Sequence, residues 1–269
     1  MVKKALGNIY LALLFLFLYA PILILIVLSF NASKSRAKWG GFTLKWYQEL
    51  FQNQDIMNAL YTTLIIAFVS ALIAVIIGTA AAIAINSMKK TPRAVLMMVT
   101  NIPMLNADIV TGISLMLLFV AVGNVFKFSL GFVTVLLAHI TFNIPYVILN
   151  VMPKLKQLNK NTYEAALDLG ASGFYAFYKV ILPEIFPGIL SGFLLAFTMS
   201  LDDFVITYFT NGSSVNTLST VIYSEVRKGI KPEMYALSTI MFVTVVLLLV
   251  IINRKGDTKH GPVVPAAKK

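Results

Sequence analysis

The sequence predicts an all-α, polytopic membrane protein with six transmembrane helices, and three observations lead there. Of 269 residues, 58% are hydrophobic and only 12% charged, with a mean hydropathy of +0.83, whereas soluble domains carry about 25% charged residues. The apolar residues gather in six runs: Leu6 to Phe30, Ala59 to Ile85, Ala94 to Val122, Leu130 to Met152, Ile185 to Phe209 and Tyr235 to Ile252. Each is long enough for the ~20 residues a helix needs to cross the hydrocarbon core. None shows the ten-residue alternation of a barrel strand, and only helices or closed barrels satisfy every backbone polar group in lipid.

Six crossings with short connections account for the chain as a single domain over residues 1–269, leaving no room for a fused ATPase or sugar-binding domain. Composition excludes further chemistry. With no cysteine there are no disulfides, thiolate metal sites or thiol nucleophiles, and two histidines, His139 and His260, are too few for a dedicated zinc site. No Gly-Lys dipeptide occurs, so the phosphate-cradling G-x-x-x-x-G-K-[ST] loop is absent, and any ATP with its magnesium that drives this chain is expected on another subunit. This chain is expected to hold no cofactor and to be no enzyme. A net charge of +11 suggests nucleic acid in a soluble protein. Here the basic residues fall between apolar runs, where they fix orientation, and no nucleic-acid partner is expected.

The first run follows Lys3 and Lys4 and continues past Pro21 without a small-residue cleavage site, so it reads as a retained helix rather than a signal peptide. Beyond it, Asn31 to Asn58 carries Trp39, Trp46 and Tyr47 among charges, which suits a short helix at the interface or contact with an external partner. An even number of crossings puts both termini on one side. That side holds fourteen basic residues against eight on the other, which places both termini in the cytoplasm.

In the third run Pro103, Asn106 and Gly112 flank Asp108, the composition of an interrupted helix lining a transporter site. The fourth run contains His139, read either as a buried, hydrogen-bonded structural group or as a proton relay. The fifth contains Asp202 and Asp203. A carboxylate in a spanning segment costs on the order of 2.5–3.5 kcal/mol and persists only beside a cavity or a partner. At ~1.5 Å per residue, unbroken helices put Asp108 about 20 Å and the pair about 28 Å from the cytoplasmic ends. No intramembrane Lys or Arg answers the three. They either line the path of a cation, with Phe204 or Tyr208 adding cation–π contacts, or pair with a basic residue of a partner chain. The tail, Lys255 to Lys269, reads as a disordered cytoplasmic end.

Between the fourth and fifth runs lies an organised cytoplasmic segment, about 153–183, and long loops in compact domains usually have a function. Asn161-Thr162-Tyr163-Glu164 has capping-box spacing, predicting a helix over Tyr163 to Leu169. Gly170 suits the left-handed position that ends it, and Ser172 can cap a second helix over Gly173 to Ile181, stopping at Leu182-Pro183.

Glu164-Ala165-Ala166, three residues, Gly170, nine residues, then Val180-Ile181-Leu182-Pro183 resembles the EAA loop (EAA, x3, G, x9, I-x-L-P) of permease subunits of type I ATP-binding cassette importers. Val180 stands where the family pattern has isoleucine. The resemblance extends over nearly the whole chain. It implies the type I importer permease fold, and a loop whose short helix docks on the ATPase through Glu164, Ala165, Ala166, Gly170, Val180, Leu182 and Pro183. Ser29-Phe30-Asn31, Asn106-Ala107-Asp108-Ile109-Val110 and Ser200-Leu201-Asp202-Asp203-Phe204 resemble the permeases of spermidine/putrescine importers. That implies polyamine cargo, a place in the bacterial cytoplasmic membrane, and as partners a second homologous permease, two ATPase copies and an external substrate-binding protein. The competing readings are an ion-coupled secondary carrier for an organic cation and an importer permease for a different small solute.

Overall fold

The computed structural model describes residues 2–257, with twelve α-helices and one π-helical turn. In chain order the helices are α1 (Val2–Ser29), α2 (Lys45–Gln52), α3 (Gln54–Ser87), α4 (Lys90–Leu105), α5 (Asp108–Phe126) and α6 (Phe132–Gln157). There follow α7 (Lys160–Asp168), α8 (Gly173–Ala176), α9 (Leu182–Asp202), α10 (Val205–Thr210), α11 (Leu218–Lys228) and α12 (Pro232–Asp257). Among the described residues the only strand-like pairing is a single bridge between Asn31 and Phe42.

Five segments are long and apolar enough to cross a membrane: Leu6–Ser29, Gln54–Ser87, Asp108–Phe126, Phe132–Gln157 and Gly173–Asp202. The sixth expected run, Tyr235 to Ile252, falls inside the 26-residue α12. That helix continues to Asp257, three residues into the expected tail, and the rest of the tail lies outside the described residues.

The chain divides into two compact units, Met1–Met57 with Ser224–Lys269, and Asn58–Tyr223. In the first, α12 packs against α1 and α2. The segment between α1 and α2 is closed by Asn31, which is fully buried. Its Nδ2 donates to Lys38 O at 2.9 Å, and its Oδ1 accepts from Ser33 N and Gly40 N at 3.1 and 2.8 Å. Trp46, expected at an interface, is instead 3% exposed and donates from Nε1 to Asn31 O at 2.7 Å. A buried indole needs a partner for its N–H, and this one closes the loop with it. Trp39 does remain exposed.

In the second unit the core lies where α3, α6 and α9 meet, built from Ala71, Ala74, Ala82, Val147, Val151, Met152, Ile185 and Ala196. Among the buried positions of α3, Ala67, Ala71, Ala74, Gly78, Ala82 and Ile85 recur every three to four residues and so form one face. Small residues there let the helices approach closely, which is the main packing device where lipid removes the hydrophobic drive. On α9 the face toward α6 is Gly188, Gly192, Ala196 and Ser200, one turn apart and all buried. A Cβ on Gly188 would stand 2.9 Å from Asn150 O, so only glycine fits at that approach.

Three apolar runs differ from their expected course. The third breaks at Asn106-Ala107, both extended with ψ of 149° and 136°. The interruption expected around Asp108 is present, and Asp108 opens a new helix, so a straight rise counted from Ala94 does not give its depth. The fifth run breaks after Asp202: Asp203 is extended (ψ 123°) and α10 starts at Val205. Its helix also begins far earlier than Ile185, because α8, a π turn at Phe177–Ile181 and α9 are continuous. Leu182-Pro183 was expected to be a stop. Proline removes an N–H and clashes with the carbonyl four residues back. The chain absorbs this by widening the preceding turn, with Leu182 N donating to Phe177 O, five residues back.

Candidate functional site

The loop between α6 and α9 folds into an elbow held by local bonds. α7 starts at Lys160, capped by Asn159, whose side chain accepts from Asn161 N at 3.1 Å. The expected cap, Asn161, is thus the second residue of the helix, because Asn159 offers the same chemistry two residues earlier. At the other end Ala171 N donates to Ala166 O (3.1 Å) and Gly170 N to Leu167 O (2.9 Å). Together these two bonds are a complete Schellman closure. Gly170 has φ +85°, the left-handed position expected of it. Ser172 then caps α8 as expected, accepting from Tyr175 N at 3.3 Å.

The elbow is not folded away against its own unit. Glu164, Ala165 and Gly170 are exposed, Ala166 and Val180 half-buried, Leu182 half-buried and Pro183 exposed. Leu169 is 89% and Phe174 81% exposed, with Tyr175 and Tyr178 beside them. Such a cluster of large apolar side chains on a polar loop is the mark of an interaction surface. Behind α7 a cavity of about 280 Å³ separates it from the ends of α3 and α6, lined among others by Asn86, Leu155, Tyr163, Glu164 and Val180.

The three aspartates do not share one environment. Asp108, at the first turn of α5, and Asp202, at the last residue of α9, are exposed. Asp203 has a side chain only 9% exposed and lies 3.4 Å from His139 Nε2. Its carboxylate accepts from Ile206 N (3.3 Å) and Thr207 N (2.8 Å), occupying two of the orphan amides that open α10. It also accepts from Thr207 Oγ1 at 2.8 Å.

That hydroxyl has one proton, so in its 2.9 Å contact with His139 Nε2 the ring nitrogen is the donor. His139 Nδ1 is hydrogen-bonded to Ser200 Oγ, and Ser70 Oγ lies 3.1 Å from Ser200 Oγ. A buried chain of polar groups therefore runs from α3 through α9 and α6 to α10. Of the two roles expected for His139, the geometry is that of the buried, bonded group. The partner of Asp203 is therefore a histidine rather than the Lys or Arg that a carboxylate in a spanning segment calls for.

Around this chain, Ser219 Oγ donates to Asp203 O at 2.6 Å, and Thr134 Oγ1 to Thr210 O at 2.7 Å. Both ends of α10 are thereby pinned. Beside Asp202, the rings of Phe204, Tyr208 and Tyr223 form a cluster, with centroids 4.5 Å apart for Phe204–Tyr223 and 5.3 Å for Phe204–Tyr208.

Residues 74–256 match the model of the binding-protein-dependent transport system inner membrane component, a span that contains the elbow and Asp108, Asp202 and Asp203. The chain belongs to this family. As such an inner membrane component it is a multi-pass transport permease that works with other components of a binding-protein-dependent transport system.

Among its relatives is the putrescine transport system permease protein PotI of Escherichia coli K12, 41% identical over 84% of this chain and 82% of the relative. Another is the spermidine/putrescine transport system permease protein PotC of Haemophilus influenzae, 39% identical over 94% of this chain and 98% of the relative. A PotC homolog of Mycoplasma genitalium is 35% identical over 93% of this chain and 91% of its own. The fold is that of a crystallised bacterial ABC transporter involved in importing the acidic polysaccharide alginate, with TM-score 0.74, 13% identity and 97% of both chains covered.

Two features of the inner membrane component escaped the sequence reading. Tyr223, from α11, joins the ring cluster, and no local pattern links it to Phe204 nineteen residues earlier. Asn143, one turn beyond His139 on α6, is fully buried with neither amide atom bonded. An Asn on the buried side of an apolar helix is the signal that was available for it.

Proposed function

We propose that this chain is one of two permease subunits of an ATP-driven importer for polyamines such as spermidine and putrescine. It forms half of the translocation path and has no catalytic role of its own. A homologous permease forms the other half, two copies of an ATPase bind ATP and magnesium, and an external binding protein delivers the cargo. Both termini lie in the cytoplasm, consistent with the excess of basic residues on that side.

The exposed elbow is the observation that carries this reading. Leu169 and Phe174 project from a rigid, locally closed turn, which gives an ATPase groove a small apolar knob to receive. Closure of the ATPase pair would then move α7 and, through the continuous helix from Gly173 to Asp202, the far end of α9. Glu164, Ala165, Ala166 and Gly170 shape the knob, while Val180, Leu182 and Pro183 join it to α9.

Polyamine cargo is supported by the relatives and by Asp108 and Asp202, exposed carboxylates that suit amines carrying positive charge at neutral pH. The rings of Phe204 and Tyr208 add faces on which an ammonium can rest. Asp203, expected beside them on the path, serves in this reading as the cap of α10 and the partner of His139.

The test is uptake by the assembled transporter in vesicles. Asp108→Asn and Asp202→Asn are expected to lower polyamine uptake at least tenfold while the complex still assembles. Full uptake by the double variant would remove the aspartates from the path. Uptake that survives ATP depletion but stops with an uncoupler would replace the importer by an ion-coupled carrier.

A further inference from the structure

We propose that His139 is a positioning residue for transport: it holds the bend between α9 and α10, and with it the direction in which Asp202 presents its carboxylate. The inference rests on the reading of Asp202 as part of the cargo path.

The bend itself has little backbone to hold it. Asp203 is extended between two helices, so the helical ladder is interrupted at the very residue after Asp202. Side chains supply the missing restraint. The imidazole reaches Ser200, two residues before Asp202, with one nitrogen and Thr207, five residues after it, with the other. One ring thus ties the last turn of α9 to the first turn of α10. The same Nε2 lies 3.4 Å from the Asp203 carboxylate that caps α10.

His139 is well placed to hold a bend. It is 1% exposed, and α6 is the most buried of the spanning helices, half of its span lying inside the protein. Ser200 and Thr207 are buried as well, and without the ring Ser200 keeps only Ser70 and Thr207 only Asp203, so no side-chain bond any longer joins the last turn of α9 to the first turn of α10 through α6. The bend is then free to turn. Asp202, adjacent to Asp203 and exposed, would turn with it.

The assembled transporter in vesicles tests this with three substitutions. His139→Leu removes both ring bonds, His139→Gln retains an amide N–H for Thr207, and Thr207→Val removes the hydroxyl between His139 and Asp203. Uptake is measured against polyamine concentration, with Asp202→Asn in parallel. Because the chain has no native cysteine, a pair of spin labels on cysteines introduced together at Thr198 and Tyr208, in protein kept apart from the uptake samples, reports the distance across the bend independently of transport.

We expect His139→Leu and Thr207→Val to raise the half-saturating polyamine concentration about tenfold, with a smaller change in maximal rate, and to broaden the label distances. His139→Gln is expected to stay within about threefold of the parent with a narrow distance distribution. If the Leu substitution prevents assembly, Thr207→Val carries the same comparison. A narrow distribution in both disruptive variants overturns the role of His139 at the bend. A Gln variant as impaired as the Leu variant overturns positioning in favour of proton transfer. Unchanged uptake by Asp202→Asn overturns the cargo-path reading itself, and with it the transport half of the inference.

Discussion

Gly170 offers the sharpest test of the elbow, because the structure isolates what a substitution there does. Its φ is +85°, and a Cβ built at that position meets nothing within 4 Å. An alanine therefore introduces no clash within the chain. It introduces only the backbone strain of an L-residue in the left-handed region, about 1–2 kcal/mol.

The elbow has little in reserve against such a cost. α7 has nine residues, most of them exposed, and isolated helices that short are marginal in water. Its closure depends on the two bonds from Gly170 N and Ala171 N. A strain of 1–2 kcal/mol should lower the ratio of closed to open elbow by about 5- to 30-fold. Asparagine, which adopts the left-handed region far more readily, should restore most of it while adding more bulk than alanine.

The assay is the affinity of the purified ATPase for the detergent-solubilised permease pair, together with ATP hydrolysed per polyamine imported. Gly170→Ala is expected to weaken binding and raise the ATP spent per cargo molecule, and Gly170→Asn to lie near the parent. An alanine variant indistinguishable from the parent in both measurements would refute the claim that the ATPase reads the shape of this turn. An asparagine variant worse than alanine would show that bulk, not backbone conformation, decides docking.

Two further expectations concern other parts of the chain. Phe174→Asp, at a side chain 81% exposed, should leave the permease folded and inserted but weaken ATPase binding at least tenfold, read by co-purification at graded detergent and salt. Trp46→Phe keeps an aromatic ring but abandons the bond from Nε1 to Asn31 O, leaving a buried carbonyl unpaired at a cost of about 1–3 kcal/mol. Faster proteolytic nicking between Ala32 and Thr43, with membrane insertion unchanged, is the measurement that checks it.

Hydropathy made the spans legible, because twenty apolar residues have few other uses in a chain of this kind, and all six runs fall on helices. The breaks were only half legible. Pro103 and Asn106 advertised the interruption before Asp108, but nothing in Leu201-Asp202-Asp203-Phe204 announced that the helix stops there. That break is stabilised by Ser219 and His139, residues 16 and 64 positions away from Asp203, which no window on the sequence can bring together. Pro183 misled in the opposite direction, since a proline that ordinarily ends a helix is here absorbed by a π turn. In the elbow the chemistry was legible and the register was not. Asn159 and Asn161 are equally good caps on paper, and it is Asn159 whose side chain accepts from the first turn of α7.

The glycine and alanine face of α9 has a consequence for how such permeases diversify. Gly188, Gly192, Ala196 and Ser200 occupy successive turns pressed against α6, so that side of the helix is closed to enlargement. Ser191, Leu195, Thr198 and Asp202 follow another track along the same helix, and every one of them is exposed. A lineage that came to carry a different solute would have its freedom there. Exchanges along that second track alter what α9 offers its surroundings while the buried seam keeps its geometry.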